Sequence, residues 1–154
     1  MTGKSVKTSG ETRGLFGDDG GGAVVIHTDG GSRGNPGQAA IGVVVNNKEY
    51  AERIGVRTNN EAEYMALVFA LKKAKQLLGK AKAKGATLDV RMDSELVVKQ
   101  LNSEYKIMEE TLQPLFMQVW NLRLDFGTVR FTHVLREENR RADRLVNRAL
   151  DGGI

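Results

Sequence analysis

Cysteine is absent from this chain, and histidine and proline occur only twice each in 154 residues. Without thiols the protein can form neither disulfides nor thiolate metal sites, and two histidines leave little from which to build a zinc centre. Any metal must be held by oxygen, which points to Mg²⁺ or Mn²⁺. No apolar run approaches the roughly 18–20 residues that span a bilayer, so no membrane partner is expected. The N-terminus also lacks the positive-then-apolar layout of a secretory signal. A monomeric, cytoplasmic protein is the expectation.

Acidic side chains are outnumbered, with a net charge of +4 and an isoelectric point near 9.4. The positive charge is clustered: Lys72, Lys73, Lys75, Lys80, Lys82 and Lys84 form one group, and Arg136, Arg140, Arg141, Arg144 and Arg148 another. Such clusters either keep a helix face solvated or attract a polyanion by releasing counterions from its phosphates.

Residues 1–22 are rich in Gly, Ser, Thr and Asp and hold almost no large apolar side chains. They cannot repay the entropy of ordering, so a flexible tail is expected, with one folded domain over 23–154. Ala23–Thr28 reads as an apolar strand ending in Asp29 and a glycine-dense turn. Ile41–Val45 is a β-branched strand closed by the turn signal Asn46-Asn47, with Glu49–Val56 as its hairpin partner. Asn59-Asn60 opens a helix whose apolar residues Ala62, Met65, Ala66, Phe69, Ala70, Ala74, Leu77 and Leu78 follow the 3.6 period. Thr87–Met92 is a strand, Ser94–Leu101 a short helix and Glu110–Leu124 a longer one. Thr128–Val134 and Glu138–Leu150 form the last strand and helix. Three strands followed by helix–strand alternation predict an α/β fold with a mixed sheet flanked by helices.

Four carboxylates stand out, and each has an ordinary explanation. Asp29 precedes Gly30 in a turn-forming dipeptide. Glu63 follows Asn60 by three residues, as in a capping box. Asp93 precedes a helix, where an aspartate caps well. Asp143 lies among arginines that could pair with it. Together the four read differently. Asp29 and Asp93 end strands whose apolar character implies a central place in the sheet, and Glu63 and Asp143 sit in the opening turns of helices that pack on it. Four converging carboxylates repel one another unless a cation compensates. Two divalent ions about 4 Å apart, serving in-line phosphoryl transfer, would meet that need.

These residues resemble type 1 ribonuclease H. Thr28-Asp29-Gly30-Gly31-Ser32 with Gly34-Asn35-Pro36-Gly37 is similar to the family's first-strand aspartate and following loop. Asn59-Asn60-Glu61-Ala62-Glu63 resembles its asparagine pair and helix glutamate, and Asp93-Ser94 its third acid. His133, Asn139 and Ala142-Asp143 resemble the C-terminal block. The match covers about residues 23–150. It implies a five-stranded mixed sheet, three antiparallel strands then parallel ones, and hydrolysis of the RNA strand of RNA/DNA hybrids to 5′-phosphate and 3′-hydroxyl ends. It further implies that Asp29, Glu63, Asp93 and Asp143 hold two Mg²⁺ or Mn²⁺ ions, and that His133 assists proton transfer or product release. Gly30, Asn35, Asn59, Asn60, Ser94 and Asn139 would contact substrate. His27, two residues before Asp29, is assigned a packing role.

The sequence departs from the family pattern in two places. Leu101–Pro114 is short and carries only Lys106 in place of a basic, tryptophan-bearing protrusion, so the chain looks like the compact, archaeal-like branch. Glu95 falls where a neutral amide often follows the aspartate–serine pair. Three alternatives stay open: another nuclease of the same fold, a broader activity that includes double-stranded RNA, and a non-catalytic hybrid-binding module. The last would be expected to lack one of the four acids.

Overall fold

The computed structural model describes residues 22–152, so the expected tail lies almost wholly outside the described residues. The chain begins with a three-strand meander: β1 (Val24–Gly34), β2 (Gly37–Val45) and β3 (Lys48–Arg57). Helix α1 (Asn59–Leu78) and the short α2 (Lys80–Gly85) lead to β4 (Thr87–Met92) and α3 (Glu95–Leu101). Helix α4 (Gln113–Arg123), β5 (Thr128–His133) and α5 (Arg140–Leu150) complete the domain. The sheet order is β3-β2-β1-β4-β5, with antiparallel pairing in the meander and parallel pairing of β4 with β1 and β5. This is the predicted five-stranded mixed sheet.

Alternation along β1 divides the molecule into two layers. Val24 and Ile26 point into the main core with Tyr64, Leu67 and Leu71 of α1 and Val90 of β4. The opposite face carries His27 and Asp29 and is covered by α5, where Ala40, Val146 and Ala149 form a smaller cluster. Helix α1 is buried more widely than its 3.6-period apolar stripe, because α4 packs on it as well as the sheet.

Several boundaries differ from the sequence reading. The segment after Asp29 is not a turn: β1 continues to Gly34, and the reversal occurs at Asn35-Pro36, with Gly34 and Gly37 paired across it. Asp29 therefore lies mid-strand, opposite Gly42. Helix α1 is capped by Thr58 and not by the Asn60–Glu63 pair. The Thr58 hydroxyl accepts from Glu61 N (3.1 Å) and Glu61 Oε1 accepts from Thr58 N (2.8 Å). At α3 the cap is Ser94, whose Oγ accepts from Val97 N. Both capping explanations for Glu63 and Asp93 thus fail, and the two acids are free for other work. Helix α2 has no signal in the sequence, because Lys-Ala-Lys-Ala-Lys carries no apolar stripe beyond the buried Ala83. The expected helix over 110–124 opens as a 3₁₀ turn, Glu110–Leu112, before Pro114 enters the first turn of α4.

Candidate active site

Two glycines seat the acids around Asp29. A Cβ on Gly30 would collide with the Ala62 carbonyl and stand 2.6 Å from Glu63 N. On the other face, a Cβ on Gly42 would collide with Ala142 O and lie 2.9 Å from Leu145 Cβ. Bare backbone at Gly30 lets the first turns of α1 settle beside Asp29 and deliver Glu63. Bare backbone at Gly42, the cross-strand partner of Asp29, does the same for α5 and Asp143. Strand β4 runs parallel to β1, with His27 opposite Arg91 as the last pair. Both chains then continue two residues, to Asp29 and to Asp93. The four carboxylates, from β1, α1, the bend after β4 and α5, line one cleft of about 320 Å³, together with Asn59, Arg136 and Asn147.

The electrostatics of the cleft are those of acids short of positive charge. The Asp29 carboxyl is pushed up to about 8, first by burial, then by the charges of Asp93, Asp143 and Glu63, and by a hydrogen bond with Asp143. Glu63 is pushed up to about 7 by burial and by Asp93, against the opposing pull of the Ser94 hydroxyl and Arg136. Glu63 Oε1 is buried with no hydrogen-bond partner. Among the described residues, no three histidine or acidic side chains are already gathered into a cage that could hold an ion as they stand. The donor set nevertheless fits a hard divalent cation: it is all oxygen, one buried oxygen is unsatisfied, and the two raised acids are those a cation would return to the charged form.

That arrangement sets a pH dependence for stability. In the metal-free protein Asp29 holds its proton to about pH 8, whereas the unfolded chain releases it near its ordinary value of 3.8. The folded state binds more protons across that window, so stability falls as pH rises from about 4 to about 8. Melting temperatures in chelator are expected to decline over this range. Millimolar Mg²⁺ or Mn²⁺ is expected to raise the melting temperature most at the alkaline end, where the carboxylates are charged. Thermal melts against pH, with and without metal, check this; a metal-free profile that rises toward pH 8 would refute it.

The other expected site residues divide into three groups. Asn35 and Asn59 form a relay from the β1–β2 turn to α1. Asn35 Oδ1 accepts from Asn59 N (2.9 Å), and Asn59 Oδ1 accepts from Ser32 N (2.9 Å) and Ser32 Oγ (3.1 Å). Their carbonyl oxygens are thereby occupied, and among the described residues neither NH₂ group is engaged in a hydrogen bond. Asn60 Nδ2 donates to Glu109 Oε1 (3.0 Å), a contact from 49 positions away that the sequence does not signal. Gly30 and Ser94 work through position: one admits α1, the other caps α3 and bonds Glu63.

Asn139 departs from expectation, and His133 lies outside the acid cleft. Asn139 is 1 % exposed and its Nδ2 donates to Thr28 O (2.9 Å), while its main-chain carbonyl accepts from Asp143 N (3.1 Å). It pins the start of α5 to the strand residue before Asp29, and burial keeps it from reaching a substrate. His133 is exposed at the end of β5, opposite Met92, and does not line the acid cleft. Glu95 also stays out of the cleft and pairs with Lys99 (3.1 Å) along its own helix. One residue missing from the sequence reading is Asn147, whose Nδ2 donates to Asp143 O (3.2 Å) one turn away; the i,i+4 spacing is the signal that would have found it.

A family model described as reverse transcriptase-like matches residues 27–149. The bifunctional protein Rv2228c of Mycobacterium tuberculosis is 40 % identical over 136 residues, covering 83 % of this chain and 35 % of that protein. The chain thus spans about a third of the length of these mycobacterial relatives. Ribonuclease HI of Halobacterium salinarum is 40 % identical over 139 residues, 86 % of this chain and 67 % of that protein. Among solved structures, LC11-RNase H1 in complex with an RNA/DNA hybrid, a protein isolated from compost by a metagenomic approach, is similar with a TM-score of 0.79. It is 41 % identical, over 84 % of this chain and 98 % of its own.

Proposed function

This chain belongs to the type 1 ribonuclease H family, and we propose that it is an endonuclease that hydrolyses the RNA strand of RNA/DNA hybrids, leaving 5′-phosphate and 3′-hydroxyl ends. The observation that carries the reading is the cleft itself: Asp29 of β1, Glu63 of α1, Asp93 just after β4 and Asp143 of α5 line it together. Two Mg²⁺ or Mn²⁺ ions held by these carboxylates would supply the positive charge the cleft lacks and Lewis-acid stabilisation of the scissile phosphate.

The remaining chemistry belongs to the protein. Burial and the neighbouring acids favour the protonated forms of Asp29 and Glu63, a preference that bound cations would reverse. Asn35 and Asn59, their carbonyls already spent, present NH₂ donors to the 2′-hydroxyls and base edges of the RNA strand. Asn60 joins them when substrate takes the place of Glu109. His133, one strand over from the Asp93 strand, carries a proton between solvent and the cleft as product departs. Asn139 and Asn147 hold Asp143 in position. The LC11 relative bound to an RNA/DNA hybrid supports the choice of substrate.

The test compares labelled RNA/DNA, RNA/RNA and DNA/DNA duplexes, each with Mg²⁺, with Mn²⁺ and with chelator, followed by end-group analysis. Cutting confined to RNA strands, dependent on metal and leaving 5′-phosphates, is expected, with the hybrid cut fastest. Binding of hybrid without cutting in either metal would overturn the nuclease reading. Equal cutting of RNA/RNA would replace the hybrid by a broader duplex substrate.

A further inference from the structure

Of the three asparagines expected at the substrate, Asn60 alone has its donor taken. Asn35 and Asn59 spend their side-chain carbonyls inside the fold, whereas Asn60 Nδ2 donates to Glu109 Oε1 at 3.0 Å. A carboxylate only accepts, so the Asn60 amide must turn its NH₂ group toward Glu109. The contact lies at the surface, beside Asn59 of the acid cleft, where a nucleic acid can reach it.

The fold brings Glu109 to this place. Its segment, Leu101–Pro114, carries three acids and one lysine. Gln100, 5 % exposed, accepts from the Tyr64 hydroxyl (2.8 Å) and donates to Lys106 O (3.3 Å). Gln113 Nε2 donates to Ile107 O (3.1 Å), and Ile107 and Leu112 pack on the main core on either side of Glu109. The Glu109 main-chain carbonyl accepts from Leu112 N (3.1 Å). Helix α1 is fixed in turn by its Thr58 cap, so amide and carboxylate are held within reach across 49 positions. The adjacent Glu110 is also exposed, yet among the described residues its side chain makes no hydrogen bond or ion pair.

A donor already engaged serves a ligand only in those molecules where the contact is open, and apparent affinity falls by that fraction. The second N–H of Asn60 does not escape this. A phosphate oxygen placed on it would lie close to the Glu109 charge and be repelled. Resting on the nuclease reading above, we propose that Glu109 is an internal competitor of the nucleic acid for Asn60, so that hybrid binds only as this carboxylate is displaced. One surface hydrogen bond shifts an equilibrium by about twofold to tenfold, which sets the size of the effect.

The experiment is a double-mutant cycle, read as the affinity of a blunt RNA/DNA hybrid by fluorescence anisotropy in chelator at low salt. Glu109→Ala is expected to tighten binding about twofold to tenfold. In the Asn60→Ala background the same substitution should give no gain beyond that of Glu110→Ala, the control for loss of one negative charge. In the free protein, the Asn60 side-chain amide resonances should shift in Glu109→Ala and stay in place in Glu110→Ala. An equal gain in both Asn60 backgrounds means that Glu109 acts by repulsion alone and overturns the proposal. So does weaker binding by Glu109→Ala, which would make the carboxylate an aid to the substrate, or an unmoved Asn60 amide. With Mg²⁺, wild type should cut the same hybrid. Cutting without the coupling sinks this proposal and leaves the nuclease reading in place, whereas neither binding nor cutting by wild type overturns both.

Discussion

Asp93→Asn is expected to lower hybrid cleavage by at least about a thousandfold while leaving the fold intact. The substitution keeps the shape of the side chain and removes one of four charged donors. Loss of several kcal/mol of transition-state charge stabilisation, at about 1.4 kcal/mol per tenfold in rate, gives that scale. The fold is spared because Ser94, not Asp93, caps α3. Asp93 is also the leading charged neighbour raising Asp29, and it raises Glu63 as well. Neutralising it relieves repulsion inside the cleft, so the metal-free variant is expected to melt at or above the wild-type temperature while responding less to added metal. Activity and stability should thus move in opposite directions, which a general unfolding defect cannot produce. Glu95→Gln is the control: this acid is two residues away, pairs with Lys99 and lies outside the cleft, so activity should persist. Full activity in Asp93→Asn would sink the assignment of the four carboxylates.

The parts of this fold that sequence makes legible are those where local pattern and tertiary environment agree. Thr87–Met92 alternates apolar and polar residues and forms β4 over that same span. Asn46-Asn47 reads as a turn, and the structure puts Asn46 in the left-handed region with φ 51°, its side chain accepting from Val25 N. Misreadings occur where a distant element decides. Gly30 to Gly34 has the composition of a loop, yet it is strand: it pairs with β2 along its whole length, and Gly30 is bare because α1 packs against its backbone. Asn60 and Thr58 are both plausible caps by type; only the extended backbone at Thr58 makes it the cap. The four acids are recognisable because they fall in, or just after, separate and well-patterned elements. Whether an amide reaches outward or is spent inside the fold depends on contacts such as Asn139 with Thr28, more than a hundred positions apart, which no local pattern encodes.

Gly30→Ala is expected to cost about 3 kcal/mol or more, the upper part of the range for overpacking, because the atoms its methyl would meet are backbone and cannot rotate away. For a domain of this size that is a fall of roughly 6–12 °C in melting temperature. The neighbouring Gly31→Ala should be nearly silent, since its Cβ would stand 3.6 Å from Val146 Cγ1, an ordinary contact. Gly85→Ala, at the end of α2 with open space around it, should be neutral or slightly stabilising. The contrast between adjacent residues carries the argument: loss of strand entropy or of glycine flexibility would affect Gly30 and Gly31 alike, whereas a steric seat for α1 affects Gly30 alone. Displacing α1 also moves Glu63 away from Asp29, so the metal-induced rise in melting temperature should shrink in Gly30→Ala and remain in Gly31→Ala. Gly42→Ala should reproduce the defect from the other face, through Ala142 and Asp143. If Gly30→Ala and Gly31→Ala melt together and respond equally to metal, the glycines flanking Asp29 do not seat the helices, and the convergence of the four acids needs another cause.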